Sequence, residues 1–157
     1  MTKLLLSVHV LAAILAIGSI TVAASMFPRY ALRASSGEEQ DGRSAGIAPL
    51  LHRICRGYAV AGLAVPVFGI ATGAQLGVLT DAWVIASLAL TAIAAALLAL
   101  AILPSQQRLL ALTQDVPTQE SARPTATRLT MLTGIFNVLW TIVVVLMIVR
   151  PGSTTGA

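Results

Sequence analysis

Four apolar stretches of about 20 residues are separated along this chain by more polar segments. They cover residues 4–27, 58–79, 82–103 and 129–149, and none of them contains Lys, Arg, Asp or Glu. At about 1.5 Å of rise per residue, each stretch can cross roughly 30 Å of hydrocarbon as a helix. The first stretch is longer than the apolar core of a signal peptide, so we expect it to be a mature span. The pattern predicts an all-α fold, an up-down antiparallel bundle of four transmembrane helices.

The composition supports a membrane protein with one domain. The 157 residues are 57% hydrophobic and 10% charged, with a mean hydropathy of +0.87. Soluble domains carry about 25% charged residues. The net charge of +4 comes from basic residues beside the apolar stretches, which is typical of lipid contact and not of nucleic-acid binding. The single cysteine, Cys55, excludes an intrachain disulfide and is expected to behave as a small apolar residue.

The basic residues are distributed unevenly between the two sides of the bundle. Eight of the ten lie in the segments 28–57 and 104–128, whereas Lys3 and Arg150 lie on the other side. Short basic loops remain in the cytoplasm. We therefore expect both segments to be cytoplasmic loops and both termini to lie outside the cytoplasm. The eight residues are Arg29, Arg33, Arg43, Arg53, Arg56, Arg108, Arg123 and Arg128.

Small residues in the second span indicate close helix packing. Gly69, Gly73 and Gly77 are spaced by four, and Gly62 lies on the same span. Small residues at this spacing let another helix approach closely. In the fourth span, Asn137 is predicted to bond across helices. These five residues form the predicted helix-packing interface, which either packs the bundle itself or receives another membrane subunit.

His9 is the candidate residue for chemistry, because it is the one strongly titratable side chain in the first span. Ionisable groups within a span are costly and are candidates for function. Two interpretations remain open: a neutral structural histidine bonded to Ser7, Thr133 or Asn137, or a metal or haem ligand or proton relay. His52 is not expected to share a haem with it, because about 27 Å of helix separates residue 9 from the inner end of the span. 

The arginines that flank the spans are expected to contact lipid headgroups. Arg53 and Arg56 lie in a basic segment with His52 just before the second span, and Arg29 follows the first span. Such interfacial segments bind anionic headgroups. The sequence therefore predicts headgroup contact for these four residues.

The first span resembles the opening helix of two groups of small bacterial four-span proteins. The resemblance lies in the run 9–18, in Met26-Phe27-Pro28-Arg29, and in the run 146–152 at the other end of the chain. One group consists of uncharacterised predicted integral membrane proteins, and the more distant group is the bacterial membrane protoporphyrinogen oxidases. In the oxidases, a histidine matching His9 acts with a third-span lysine on a tetrapyrrole. The stretch 82–103 contains no lysine, so the resemblance leaves only haem or porphyrin contact through His9.

These features lead to one expected function and one alternative. We expect a non-enzymatic integral protein of the bacterial cytoplasmic membrane that acts through helix packing, as an accessory or self-associating subunit. Its partners would be the lipid bilayer and other membrane subunits or a second copy, and no catalytic residue or metal site is predicted. The alternative is a haem-, tetrapyrrole- or metal-associated redox protein that uses His9. A transporter is less favoured, because the spans lack paired ionisable residues.

Overall fold

The computed structural model describes residues 2–36, 43–115 and 119–152. Within these ranges the chain is helical apart from short turns and contains no strand. The helices are α1 (Thr2–Ser36), α2 (Arg43–Ala61), α3 (Ala64–Leu76), α4 (Ala82–Leu97), α5 (Leu103–Asp115) and α6 (Gln119–Val149). A π-helical turn, Leu98–Ile102, joins α4 to α5.

The helices form four antiparallel rods: α1, α2 with α3, α4 with α5, and α6. Each rod contains a segment that is long and apolar enough to cross a membrane. The segments are Lys3–Ser35, Gly46–Leu76, Ala82–Leu112 and Glu120–Val149. The predicted all-α, four-helix bundle is therefore confirmed, and the protein has the architecture of a multi-pass membrane protein.

The rods extend beyond the predicted spans at one end. α1 continues through Pro28 to Ser36 and α2 already begins at Arg43, so most of the segment 28–57 is helical. The segment 104–128 is likewise helical within α5 and the start of α6. These outer parts of the helices each bury a narrow apolar stripe against the bundle. Their other faces are polar, so the mean hydropathy of the two segments is low. Residues of this stripe are Ala31, Ala48, Leu109, Ala122 and Ala126.

The two ends of the bundle differ. The end that carries Thr2, Val149 and the turn at residues 77–81 is called the terminal end below. The opposite end, where α1 leads to α2 and α5 leads to α6, is called the connector end. The buried core lies mainly in the half towards the connector end, where Phe27, Leu129 and Phe136 pack among small residues. These small residues allow the rods to approach closely.

The second rod is broken between α2 and α3. Pro66 has no N–H, so it cannot donate to the carbonyl of Gly62, and the N–H of Val65 donates to that oxygen instead at 3.0 Å. Leu63 donates to the carbonyl of Val60 at 3.1 Å, which is a tighter turn than an α-helix makes. The break follows from the proline, and it places the backbone of Val65 beside α1.

The third rod contains its π-helical turn immediately before Pro104. The N–H of Leu103 reaches back five residues to the carbonyl of Leu98. The turn accommodates one extra residue in the helix, so the face that points inward shifts around the axis. As a result, Gln106 is directed into the bundle with Ile102 and Leu109, and each of these three side chains is fully buried.

Candidate functional site

His9 lies on the inner face of α1, about 10 Å along the helix from Thr2. Its side chain is 8% exposed, and its Nδ1 lies 2.9 Å from the backbone carbonyl oxygen of Val65. A carbonyl oxygen only accepts hydrogen bonds, so Nδ1 carries the proton and donates. In the neutral ring, Nε2 then holds the lone pair. His9 therefore joins α1 to the broken second rod through one directed hydrogen bond.

Gly69 makes room for the imidazole of His9. A Cβ atom at position 69 would lie 2.9 Å from Cε1 of the ring and 3.3 Å from Nδ1. Such distances are well inside van der Waals contact, and the ring cannot retreat without losing its bond to Val65. A side chain at position 69 would therefore have to displace the ring of His9 on the neighbouring helix.

The candidate partners of His9 from the sequence have other positions. Ser7 donates to the carbonyl of Lys3 at 2.9 Å. Thr133 Oγ1 and Asn137 Oδ1 are buried and have no hydrogen-bond partner within the described part of the chain. The Val65 carbonyl was not foreseen because every residue carries one. Pro66 predicts a break in this rod, but the carbonyl that it leaves without a helical donor is that of Gly62, so it does not single out Val65.

Of the other predicted interface glycines, Gly62 and Gly73 meet groups of this chain, whereas Gly77 has open space and serves a turn. A Cβ at Gly62 would lie 3.9 Å from Cβ of Ala16 on α1, and one at Gly73 would lie 2.8 Å from Cδ2 of Leu79. Gly77 ends α3 with a left-handed φ of 69°, and its N–H donates to the carbonyl of Ala74 at 3.2 Å. That conformation favours glycine. Contact of these glycines with a second chain stays a prediction.

A second polar cluster lies near the connector end, between α2 and α5. Nδ1 of His52 lies 2.8 Å from Oε1 of Gln106, and Nε2 of Gln106 lies 3.5 Å from Sγ of Cys55. The amide oxygen accepts, so His52 donates through Nδ1 and the Gln106 NH₂ group donates to the sulfur. Phe27 contacts the His52 ring edge-on, with the centroids 6.5 Å apart. The cluster fixes the orientation of His52 through a buried glutamine.

Gln106 is the residue of this cluster that sequence reasoning missed. It lies in a segment that reads as a polar loop, and a glutamine in such a segment carries no signal of its own. Only the π-helical turn and the continuation of α5 direct it inward. The proline at position 104 was the available signal for a disturbed helix.

The outer face of α2 carries two open hollows on either side of Gly57. The first has a volume of about 280 Å³ and is lined by Leu50, Arg53, Ile54, Gly57, Tyr58 and Ala61. The second has a volume of about 390 Å³ and is lined by His52, Arg53, Arg56, Gly57 and Val60. Three of the four predicted headgroup residues thus meet at one hollow. Arg29 is exposed on α1 and is not among the residues that line it.

His9 and His52 lie in separate places and have separate partners. His9 bonds to Val65, and His52 bonds to Gln106. In the second rod, His52 precedes Val65 by 13 residues, which is about 20 Å of helix towards the connector end. Among the described residues, no group of three or more His, Cys, Asp or Glu side chains could hold a metal ion. The chemistry offered at the first site is therefore that of a single imidazole nitrogen, Nε2 of His9.

Comparisons with protein-family models, with curated proteins and with solved structures found no match for this chain.

Proposed function

We propose that this protein is a non-enzymatic integral protein of the bacterial cytoplasmic membrane that acts through helix packing, as a self-associating or accessory subunit. The observation that supports the proposal is the unfilled hollow at Gly57 on the outer face of α2. A Cβ at Gly57 meets no atom of the described chain within 4 Å. By contrast, the spaces at Gly62, Gly69 and Gly73 are filled from within the bundle.

Gly57 and Ala61 place two small residues one helical turn apart on an exposed face. Apolar burial does not drive association between helices in lipid, so close van der Waals packing at small residues has to supply the energy. Leu50, Ile54 and Tyr58 surround this pair and form the walls of the 280 Å³ hollow. A side chain from a helix of a second copy would fit into it.

Self-association can be measured by energy transfer between differently labelled copies of the full chain in lipid vesicles. We expect Gly57→Leu to weaken association about tenfold, equivalent to about 1.4 kcal/mol. Gly18→Leu is the matched control, because Gly18 is also exposed and open but has the bulky Ile14 and Val22 one turn away. Equal association of both variants and the parent chain would contradict the proposed contact.

The proposed orientation places the connector end in the cytoplasm. It rests on the arginines at this end, because short basic loops are retained there. A C-terminal alkaline phosphatase fusion should be active in a bacterial host, and a C-terminal fluorescent protein that matures only in the cytoplasm should be dark. The reverse pair of results would invert the orientation.

A second candidate function, as a haem- or tetrapyrrole-associated redox protein, is favoured by the tautomer of His9. Metal-bound histidines are usually held by donation from their other ring nitrogen to a carbonyl or carboxylate. The bond from Nδ1 to the Val65 carbonyl is of this kind and leaves Nε2 as the single nitrogen to ligate iron. Haem would supply one-electron chemistry there, and His9 would be the residue that holds it.

An absorption spectrum separates the two candidates. If the protein purified from haem-sufficient cells shows a Soret band that His9→Ala removes, the redox function is supported. A colourless preparation whose helices are intact would refute it. His52→Ala is the matched control, because His52 belongs to the other cluster and should leave such a band unchanged.

A further inference from the structure

The hollow formed by His52, Arg53, Arg56, Gly57 and Val60 combines unpaired positive charge with an apolar floor. Both guanidinium groups are exposed, and neither forms a hydrogen bond or an ion pair within the described part of the chain. Among the side chains that the structure describes at the connector end, Glu120 is the acidic one. The positive charge around the hollow is therefore not neutralised by these side chains.

If the end of α3 at Leu76 marks one edge of the hydrocarbon core, the hollow lies at the opposite edge, where headgroups begin. From Arg56 to the end of α3 at Leu76 are 20 residues, or about 30 Å of helix, the thickness of a hydrocarbon core. From Arg128 to the end of α6 at Val149 the distance is similar. Arg53 is one turn further out than Arg56, so the two charges straddle the headgroup layer.

His52 adds a third nitrogen whose position is set by the bundle. Its Nδ1 donates to the buried Gln106, and Phe27 packs against the ring, so the imidazole has a fixed orientation. Nε2 is the ring atom that is not engaged in this bond. The two free guanidinium groups suit a phosphate, because arginine forks match phosphate oxygens. Nε2 of His52 carries a lone pair in the neutral ring, so it suits a hydroxyl group beside that phosphate.

The other half of the hollow is apolar and towards the membrane interior. Gly57 has no side chain, and the space that its Cβ would fill is open. Val60, one turn from Arg56, continues the apolar surface along α2. We propose that this groove binds one anionic phospholipid, with its phosphate at Arg53 and Arg56, a headgroup hydroxyl at Nε2 of His52, and an acyl chain along Val60, on the other side of Gly57 from the proposed self-association contact.

A lipid is favoured over a soluble phosphate compound because the charged and apolar parts of the groove follow the same order as a phospholipid at this depth. The experiment uses the full chain in mild detergent and counts bound lipids by native mass spectrometry during titration with phosphatidylglycerol or phosphatidylcholine. The parent chain should retain one phosphatidylglycerol with about thirtyfold higher affinity than the variant Arg53→Gln/Arg56→Gln, since each basic residue contributes about fivefold.

The variant Arg123→Gln/Arg128→Gln is the matched control, because it removes the same charge from exposed positions of α6 at the same end. It should keep the affinity of the parent chain. Equal losses in both double variants would overturn the proposal in favour of general charge attraction, and equal retention of phosphatidylcholine would overturn it as well. Competition by millimolar glycerol 3-phosphate would assign the site to a soluble phosphate. Self-association is a separate measurement, so either proposal can fail alone.

Discussion

The contact between His9 and Gly69 predicts that Gly69→Ala destabilises the protein when His9 is present and stabilises it when His9 is replaced by alanine. Gly69→Ala places a methyl group 2.9 Å from Cε1 of an imidazole that is held by Val65. Overpacking of this kind costs about 1–3 kcal/mol. Alanine is also better than glycine in a helix by about 1 kcal/mol. In the parent chain, Gly69→Ala should therefore be destabilising by about 0–2 kcal/mol, as the difference between these two effects.

Removal of the ring should reverse the effect. His9→Ala alone should cost about 2–4 kcal/mol, through the lost hydrogen bond and the space left by a buried ring. In that background the methyl group at position 69 has no ring to meet, so Gly69→Ala should stabilise the protein by about 1 kcal/mol. The two substitutions are thus coupled by about 1–3 kcal/mol.

The four chains of this double-mutant cycle can be compared by reversible unfolding in mixed detergent micelles, followed by circular dichroism. Gly18→Ala is the control in both backgrounds, because a Cβ at Gly18 meets no described atom within 4 Å. It should have the same effect with and without His9. If Gly69→Ala has the same effect in both backgrounds to within about 0.5 kcal/mol, the ring does not occupy the space at Gly69 and the reasoning is refuted.

Three further predictions concern the turn and the second polar cluster. Gly77→Ala should destabilise the chain by about 1–2 kcal/mol in the same unfolding assay, because Gly77 has a φ of 69°; an effect no larger than that of Gly18→Ala would contradict this. Gln106→Leu should cost about 1 kcal/mol through the lost bond to His52, and it should cost less in a His52→Ala background, where only the weak bond to Cys55 is left to lose. Cys55 is fully buried, so a maleimide should label it only as the protein unfolds; rapid labelling of the folded chain would show that α2 and α5 do not cover it.

The sequence-based glycine prediction shows what a spacing rule can and cannot establish. Glycines at intervals of four indicate that something approaches the helix closely, and at Gly69 the approaching group is His9 of α1. At Gly62, outside that series, the carbonyl oxygen of Tyr58 is nearest and Ala16 of α1 lies further away. The rule does not say which atoms approach. It also groups Gly77 with the others, although Gly77 serves the turn. Gly57 lies outside the predicted ladder and, like Gly18, has open space where its Cβ would stand; it differs from Gly18 in lining a hollow on the outer face of α2.

The sequence alone determined the four-helix membrane architecture, because length and apolar content decide whether a segment can cross hydrocarbon, and both are read directly from composition. It also identified His9 as the titratable residue of the first span. The tertiary structure alone decided that His9 bonds to the Val65 carbonyl and that Gln106 points inward to His52 and Cys55. The second rod is broken just before Pro66 and the third rod contains a π-helical turn just before Pro104, and which side chains face inward beyond such irregularities depends on how the neighbouring helices pack.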